Sequence, residues 1–182
     1  IFNQKYFSTS LIKYDNSIDG GIIIGTKRFQ IDETDDINDL HHKNLLSMLQ
    51  IIKDNFQNIK DNEIKLIRQV DSNSTYYPKR APSDGAIDWS LYSKHIVNFC
   101  RALTKPFPGC FSKLNGMNLL IWKMENFPPD PKYDSGSLGE IIEIFSDGTF
   151  IVQASDSFVL IKDYEIEDPK SIIKRNILSS VS

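Results

Sequence analysis

The sequence has 182 residues, 40% of them hydrophobic and 11% aromatic, enough to bury one sizeable core or two small ones, which excludes a chain disordered throughout. Its net charge of −3 and pI near 5.6 exclude the overall basic field of a protein that tracks a nucleic-acid backbone. Purely aliphatic runs such as Ile22-Ile23-Ile24 stop at three residues, far short of the roughly 20 apolar residues that span a bilayer; a soluble, cytoplasmic protein without a membrane partner is expected. Ile1 rather than Met comes first, with no signal-peptide pattern behind it, and the natural start is expected upstream.

In chain order, residues 8–13 and 22–29 are rich in strand-favouring side chains and flank the polar stretch 14–21, which predicts strand, loop, strand. Thr34 is the expected N-cap of a helix in which Ile37, Leu40, Leu45, Met48, Leu49, Ile52 and Phe56 trace one face, and that helix is expected to pack on the sheet. Residues 64–70 read as a short edge strand or extended arm. A linker follows, in which Pro78 and Pro82 restrict the backbone and Asp84-Gly85 supplies a turn. After Asp88-Trp89-Ser90 a second helix carries Ile96, Val97, Phe99, Cys100 and Leu103 on one face and ends at Pro106 and Pro108. Short strands are then predicted at 110–114, 117–122, 140–145, 149–154 and 158–163, separated by Asn115-Gly116, Asp147-Gly148 and Asp156-Ser157, the spacing of a small antiparallel barrel. Cys100 and Cys110 lack the spacing of a zinc site or a disulfide scaffold and are expected to be buried free thiols.

Three stretches stand out by their order and spacing: Asp15-Asn16-Ser17-Ile18-Asp19-Gly20-Gly21-Ile22-Ile23, then Tyr77-Pro78-Lys79-Arg80-Ala81-Pro82-Ser83-Asp84-Gly85-Ala86-Ile87-Asp88-Trp89, then Arg101-Ala102-Leu103 with Pro106-Phe107-Pro108-Gly109-Cys110-Phe111. Through them nearly the whole chain resembles the folate-dependent formyltransferases, which include methionyl-tRNA formyltransferase and the sugar-nucleotide N-formyltransferases. The middle stretch is the most specific, because its prolines, turn glycine and Asp-Trp rarely coincide. The resemblance implies the C-terminal two-thirds of such an enzyme and an α/β fold. Residues 1–70 would be the C-terminal part of a Rossmann-like catalytic domain, 71–107 a linker and connecting helix, and 108–182 a small OB-like antiparallel β-barrel.

In that family an Asn, a His and an Asp surround the carbon being transferred, with the Asp on the loop that matches residues 14–21. The resemblance therefore implies Asp19 as the catalytic carboxylate, with Asp15, Ile18 and Gly20 beside the folate. From spacing alone Asp19 is an ordinary turn residue before Gly20-Gly21, and a hairpin turn explains the glycines as well as a close approach to the pterin does. The family's Asn-x-His stretch has no counterpart in the 182 residues. His41, His42 and His95 lie in predicted helices and are expected to be structural or solvated. The implied chemistry is attack by a neutral amine on the formyl carbon of N10-formyltetrahydrofolate, giving a tetrahedral intermediate with charge on oxygen. The Asp orients the His and helps to move the proton from the amine to the leaving nitrogen. No metal is expected.

The expected acceptor is a nucleotide-linked amino sugar destined for bacterial surface polysaccharide such as lipopolysaccharide, with Tyr77, Lys79 and Arg80 contacting its phosphates or base. Methionyl-tRNA is the alternative acceptor, and an inactive substrate-binding fragment the second alternative. Against tRNA, residues 110–156 carry seven acidic side chains and only Lys113, Lys123 and Lys132, a poor match to several phosphates. The ending Leu160-Ile161-Lys162-Asp163-Tyr164-Glu165 resembles that of the sugar-nucleotide enzymes. A homodimer is an open option.

Overall fold

The computed structural model describes residues 1–16, 20–64, 67–69 and 75–179, and the chain divides into two compact units, Gln4–Lys79 and Arg80–Ser182 together with Ile1–Asn3. In the first unit β1 (Tyr6–Lys13) and β2 (Ile22–Gln30) form an antiparallel hairpin, Tyr6 opposite Gln30 and Lys13 opposite Ile22, with a bulge at Leu11/Ile12. Helix α1 (Ile37–Lys60) packs on both strands. Its N-cap is Asp36 rather than Thr34. The Asp36 carboxylate accepts from the backbone N–H groups of Asn38 and Asp39, and the Asp39 carboxylate accepts from that of Asp36, a reciprocal box that satisfies orphan donors from both sides. Neighbouring Asp35 is occupied elsewhere: it accepts from the backbone N–H of Asp32 and, with Asp32, from the Lys43 ammonium at 2.5 and 2.8 Å. Those bonds raise the pKa of Lys43.

Helix α1 packs on the hairpin as expected, but along a strip beside its apolar stripe. The side set against the hairpin carries Ser47 and Ile51, both buried, with Asn44 and Asn55 beside them. Gly25 of β2 permits the close approach, since a Cβ there would lie 2.7 Å from the Asn55 amide and 3.1 Å from Ile51. Leu45, Met48, Leu49, Ile52 and Phe56 are exposed instead. A two-stranded hairpin is too narrow to cover more than one strip of a 24-residue helix, and small side chains let the backbones approach most closely.

The second unit is built on a five-stranded antiparallel sheet of β3 (Cys110–Leu114), β4 (Met117–Phe127), β5 (Ile141–Ile144), β6 (Phe150–Gln153) and β7 (Phe158–Glu165), ordered β3-β4-β7-β6-β5. The β3–β4 turn has Asn115 and Gly116 at φ of 52° and 85°, the left-handed pair that a tight hairpin requires. Among the described residues the strands themselves form no closed barrel. The edges β3 and β5 are instead both met by residues 175–179. Ser179 and Lys113 exchange two backbone hydrogen bonds, Leu178 donates to Gly139, Ile141 donates to Asn176 and Arg175 donates to Ile141. Gly139, at φ 78°, sits so close to this segment that a Cβ would fall 2.3 Å from the Leu178 carbonyl oxygen.

Helix α2 (Ser93–Leu103) covers one face of the sheet, and Ile96 and Cys100 join Trp89, Leu119, Ile121, Phe150, Val159 and Ile161 in the main core. Its first turn is capped from 63 residues away by Asp156, which accepts from the Ser93 backbone N–H at 2.7 Å; a carboxylate is favoured at that end of a helix. The sheet's second apolar cluster joins Ile142, Ile151 and Phe158 to Phe127, Tyr133 and Phe145. Cys100 and Cys110 are buried free thiols whose sulfurs both approach the Ile121 carbonyl oxygen. The contact with Cys100, and then burial, push the Cys110 pKa up. Among the described residues no helix is long and apolar enough to cross a membrane.

Candidate functional site

In the first unit the eight residues 14–21 join β1 to β2 across the paired Lys13 and Ile22. Gly21, at the exit of this loop, is buried, and a Cβ there would stand 2.1 Å from the Lys13 carbonyl oxygen. The backbone crossing alone therefore demands glycine at 21, whatever the loop binds. The exit is clamped from outside the hairpin: Ile67 exchanges two 2.9 Å backbone hydrogen bonds with Ile23, and the Gln69 side-chain amide donates to the Gly21 carbonyl at 2.7 Å. Asp15 and Gly20 are exposed on the loop, as is Tyr14. Ile18 and Asp19, the residues implied for folate contact and proton transfer, lie outside the described residues.

The linker candidates divide between the units. Tyr77 and Lys79 are exposed on an extended stretch at the end of the first. Arg80 opens the second, where one of its terminal nitrogens donates to the Asp84 carbonyl at 2.8 Å and its guanidinium carbon stands 5.6 Å from the centroid of the Phe99 ring. Asp84 in turn accepts from the Ala81 backbone N–H at 2.6 Å. Arg80 is the one charged side chain lining an apolar cavity of about 380 Å³ formed with Ile1, Pro82, Leu103, Phe107 and Pro108. An arginine beside an otherwise apolar lining suits a planar or aliphatic group that carries an anion.

The Asp-Trp of the linker is structural. Asp88 accepts from the Ser90 hydroxyl and backbone N–H, which lower its pKa, and Trp89 is buried with its indole N–H donating to Ser112 at 3.1 Å. Arg101 donates to Asn98 at 2.9 Å. His41, His42 and His95 are exposed on helices. Among the described residues no three His, Cys, Asp or Glu side chains group as metal ligands. Gln69 went unmarked in the sequence, because nothing local signals a contact to a residue 48 positions away.

Residues 79–181 match the family described as formyl transferase, C-terminal domain. The bifunctional polymyxin resistance protein ArnA of Wigglesworthia glossinidia brevipalpis is 36% identical over 123 residues, 68% of this chain and 19% of its own. The methionyl-tRNA formyltransferase of Bacillus velezensis is 27% identical over 162 residues, 89% of this chain and 50% of its own. Among solved structures, the sugar 3N-formyl transferase WlaRD, determined in the presence of dTDP and 5-N-formyl-THF, superposes with a TM-score of 0.63 at 26% identity, covering 91% of this chain and 57% of its own. The chain thus spans about half or less of the relatives' length. With more than half of its residues matched, it belongs to the formyltransferase family through that family's C-terminal domain.

Proposed function

We propose that this chain is part of an enzyme that moves the formyl group of N10-formyltetrahydrofolate onto the amino group of a nucleotide-linked amino sugar. The observation that carries formyl transfer is the family match over residues 79–181. The folate co-substrate and the nucleotide are supported by WlaRD, a sugar 3N-formyl transferase whose structure was solved with 5-N-formyl-THF and dTDP. In this reading residues 1–70 are the C-terminal part of a Rossmann-like catalytic domain, 71–107 the linker and connecting helix, and 108–182 an OB-like barrel completed by the segment that meets both sheet edges.

Asp19 is the carboxylate that orients the catalytic His and helps carry the amine proton to the leaving nitrogen, with Asp15, Ile18 and Gly20 against the folate. Gly21, packed against the Lys13 carbonyl and bonded by Gln69, stands at the loop exit two residues from Asp19. Tyr77, Lys79 and Arg80 contact the acceptor's phosphates or base. Because the family's Asn and His have no counterpart here, the 182 residues alone are expected to show no turnover.

The likeness to the Bacillus velezensis methionyl-tRNA formyltransferase over 89% of the chain supports a second reading, tRNA as acceptor. Its weakness is the acidic excess over residues 110–156. The test is competition: the active enzyme containing this sequence receives N10-formyltetrahydrofolate with methionyl-tRNA or with dTDP- and UDP-linked amino sugars, and kcat/KM is compared. Preference for an amino sugar is expected, and preference for methionyl-tRNA would overturn the acceptor while leaving formyl transfer intact.

A further inference from the structure

Residues 104–109 join α2 to β3, and each root of that turn carries a cysteine. Cys100 is in the last turn of α2, where its carbonyl accepts from the Thr104 backbone N–H at 3.0 Å, and Cys110 opens β3. The Phe107 N–H donates to the Thr104 carbonyl at 3.1 Å and the Gly109 N–H to that of Leu103 at 2.9 Å, which folds the turn back and draws its roots together. Both side chains then enter the main core, where their sulfurs stand 3.8 and 3.4 Å from one acceptor, the Ile121 carbonyl oxygen, and touch each other. A buried free cysteine packs as a small hydrophobe. Packing therefore accounts for each thiol singly, but not for two of them converging on one oxygen in a chain whose cysteines number two.

We propose that Cys100 and Cys110 form a dithiol–disulfide pair, a modification site at which a low-molecular-weight disulfide oxidises the protein and ties α2 to β3. Burial makes the exchange rare, because the reagent reaches a sulfur only when turn 104–109 lifts from the helix end. The contact with Cys100, and then burial, hold the proton on Cys110, so the Cys100 thiolate attacks first. It bonds to one sulfur of the reagent and expels the other as a thiolate. With Cys100 capped, its restraint on Cys110 is gone; Cys110 loses its proton, attacks the Cys100 sulfur and expels the second thiolate. The two protein thiols give up two electrons and two protons, and the reagent becomes two thiols. Ala102, Leu103, Phe107, Pro108 and Gly109, all inside the ring that this bond closes, wall the cavity that Arg80 lines, so oxidation stiffens that wall. Regulation of acceptor binding through the wall rests on the formyl-transfer reading; the bond and the stiffening do not.

The test exposes the folded chain to glutathione disulfide at about pH 8, with a urea-unfolded sample to show that the reagent is active. Samples are acid-quenched, alkylated and digested with trypsin. Cleavage after Lys94, Arg101 and Lys113 places the cysteines on separate peptides, 95–101 and 102–113, since Pro106 protects Lys105. The folded chain is expected to yield these two peptides linked, within a monomer that has lost both free thiols. Its thermal midpoint should rise by about 5 °C as the ring 100–110 closes. Amide exchange at Thr104, Phe107 and Gly109 should slow at least about five-fold, and a reductant should reverse every change. Cys110→Ser should stop at a mixed disulfide on Cys100. Three results would overturn the proposal: a folded chain left reduced while the urea sample reacts, linkage between two molecules only, or a bond that lowers the midpoint. A bond that forms without slowing exchange at Thr104, Phe107 and Gly109 would overturn its action on the cavity wall. If Cys110→Ser does not fold, the unsubstituted chain decides alone. None of these readouts uses formyl transfer, so their failure is distinct from failure of the functional reading.

Discussion

Trp89→Phe probes the point where the linker motif, the sheet and the chain's last described residues meet. Trp89 is 2% exposed, its indole donates to Ser112, Ser112 donates to the Ser179 carbonyl at 2.8 Å, and Gly139 lies against the ring. Replacing indole by phenyl removes on the order of 35 Å³ of buried volume, a cavity cost of about 1 kcal/mol with a transfer loss of similar size. Loss of the indole hydrogen bond adds about 1 kcal/mol, since Ser112 keeps its bond to Ser179 and is not left unpartnered. The expected destabilisation is about 3 kcal/mol, read as a fall in the urea midpoint of about 1–2 M at unchanged slope, by circular dichroism and by the fluorescence of the remaining Trp122. Ser112→Ala completes a double-mutant cycle, with an expected coupling of about 1 kcal/mol. A loss below about 1 kcal/mol for Trp89→Phe, or strict additivity of the pair, would refute this account of the Asp-Trp motif as a packing device.

Asp19→Asn, assayed in the active enzyme containing this sequence, should lower kcat/KM for formyl transfer by about 10²-fold or more; a change within about two-fold would remove Asp19 from catalysis. Gln69→Leu frees the Gly21 carbonyl and should speed amide exchange at Gly20 to Ile22 by about five-fold, the worth of one hydrogen bond near 1 kcal/mol, with less effect at Ile23, which Ile67 holds; uniform rates would refute the clamp. Glu140 accepts from Arg175 at 2.9 Å and from the Ser137 backbone N–H at 2.7 Å, and its pKa is lowered by Arg175 first and that backbone bond second. A carboxyl depressed in the folded state stabilises above the ordinary carboxylate range, near pH 4.3, and this contribution disappears as pH falls through the depressed folded value. Glu140→Gln should flatten that part of an acid-unfolding titration, and an unchanged profile would refute it.

The short strands of the second unit were legible because turn residues bracket them: β3 runs over the predicted 110–114, and Asn115-Gly116 adopts the expected left-handed pair. Their sheet order was not, since it depends on which edges meet residues 175–179 far along the chain. The apolar period of α1 revealed a helix but not its neighbour: periodicity marks an apolar face, whereas the geometry of the hairpin decides which strip is buried. Thr34, Asp35 and Asp36 compete for the cap, and tertiary bonds decide it, because Asp35 is engaged by Lys43. The loop 14–21 was marked by family likeness, while its clamp at Gln69 is a long-range contact without a local signature.

Residues 175–179 have a consequence for synthesis. Because they meet both margins of the sheet, the second unit cannot reach its final form until residues 175–179 have left the ribosome. Until then β3 and β5 present open backbone rows of the kind that recruit neighbouring chains. A polysome crowded with nascent copies is where this protein is most exposed to misassembly, and loss of residues 175–179 would make that transient hazard permanent.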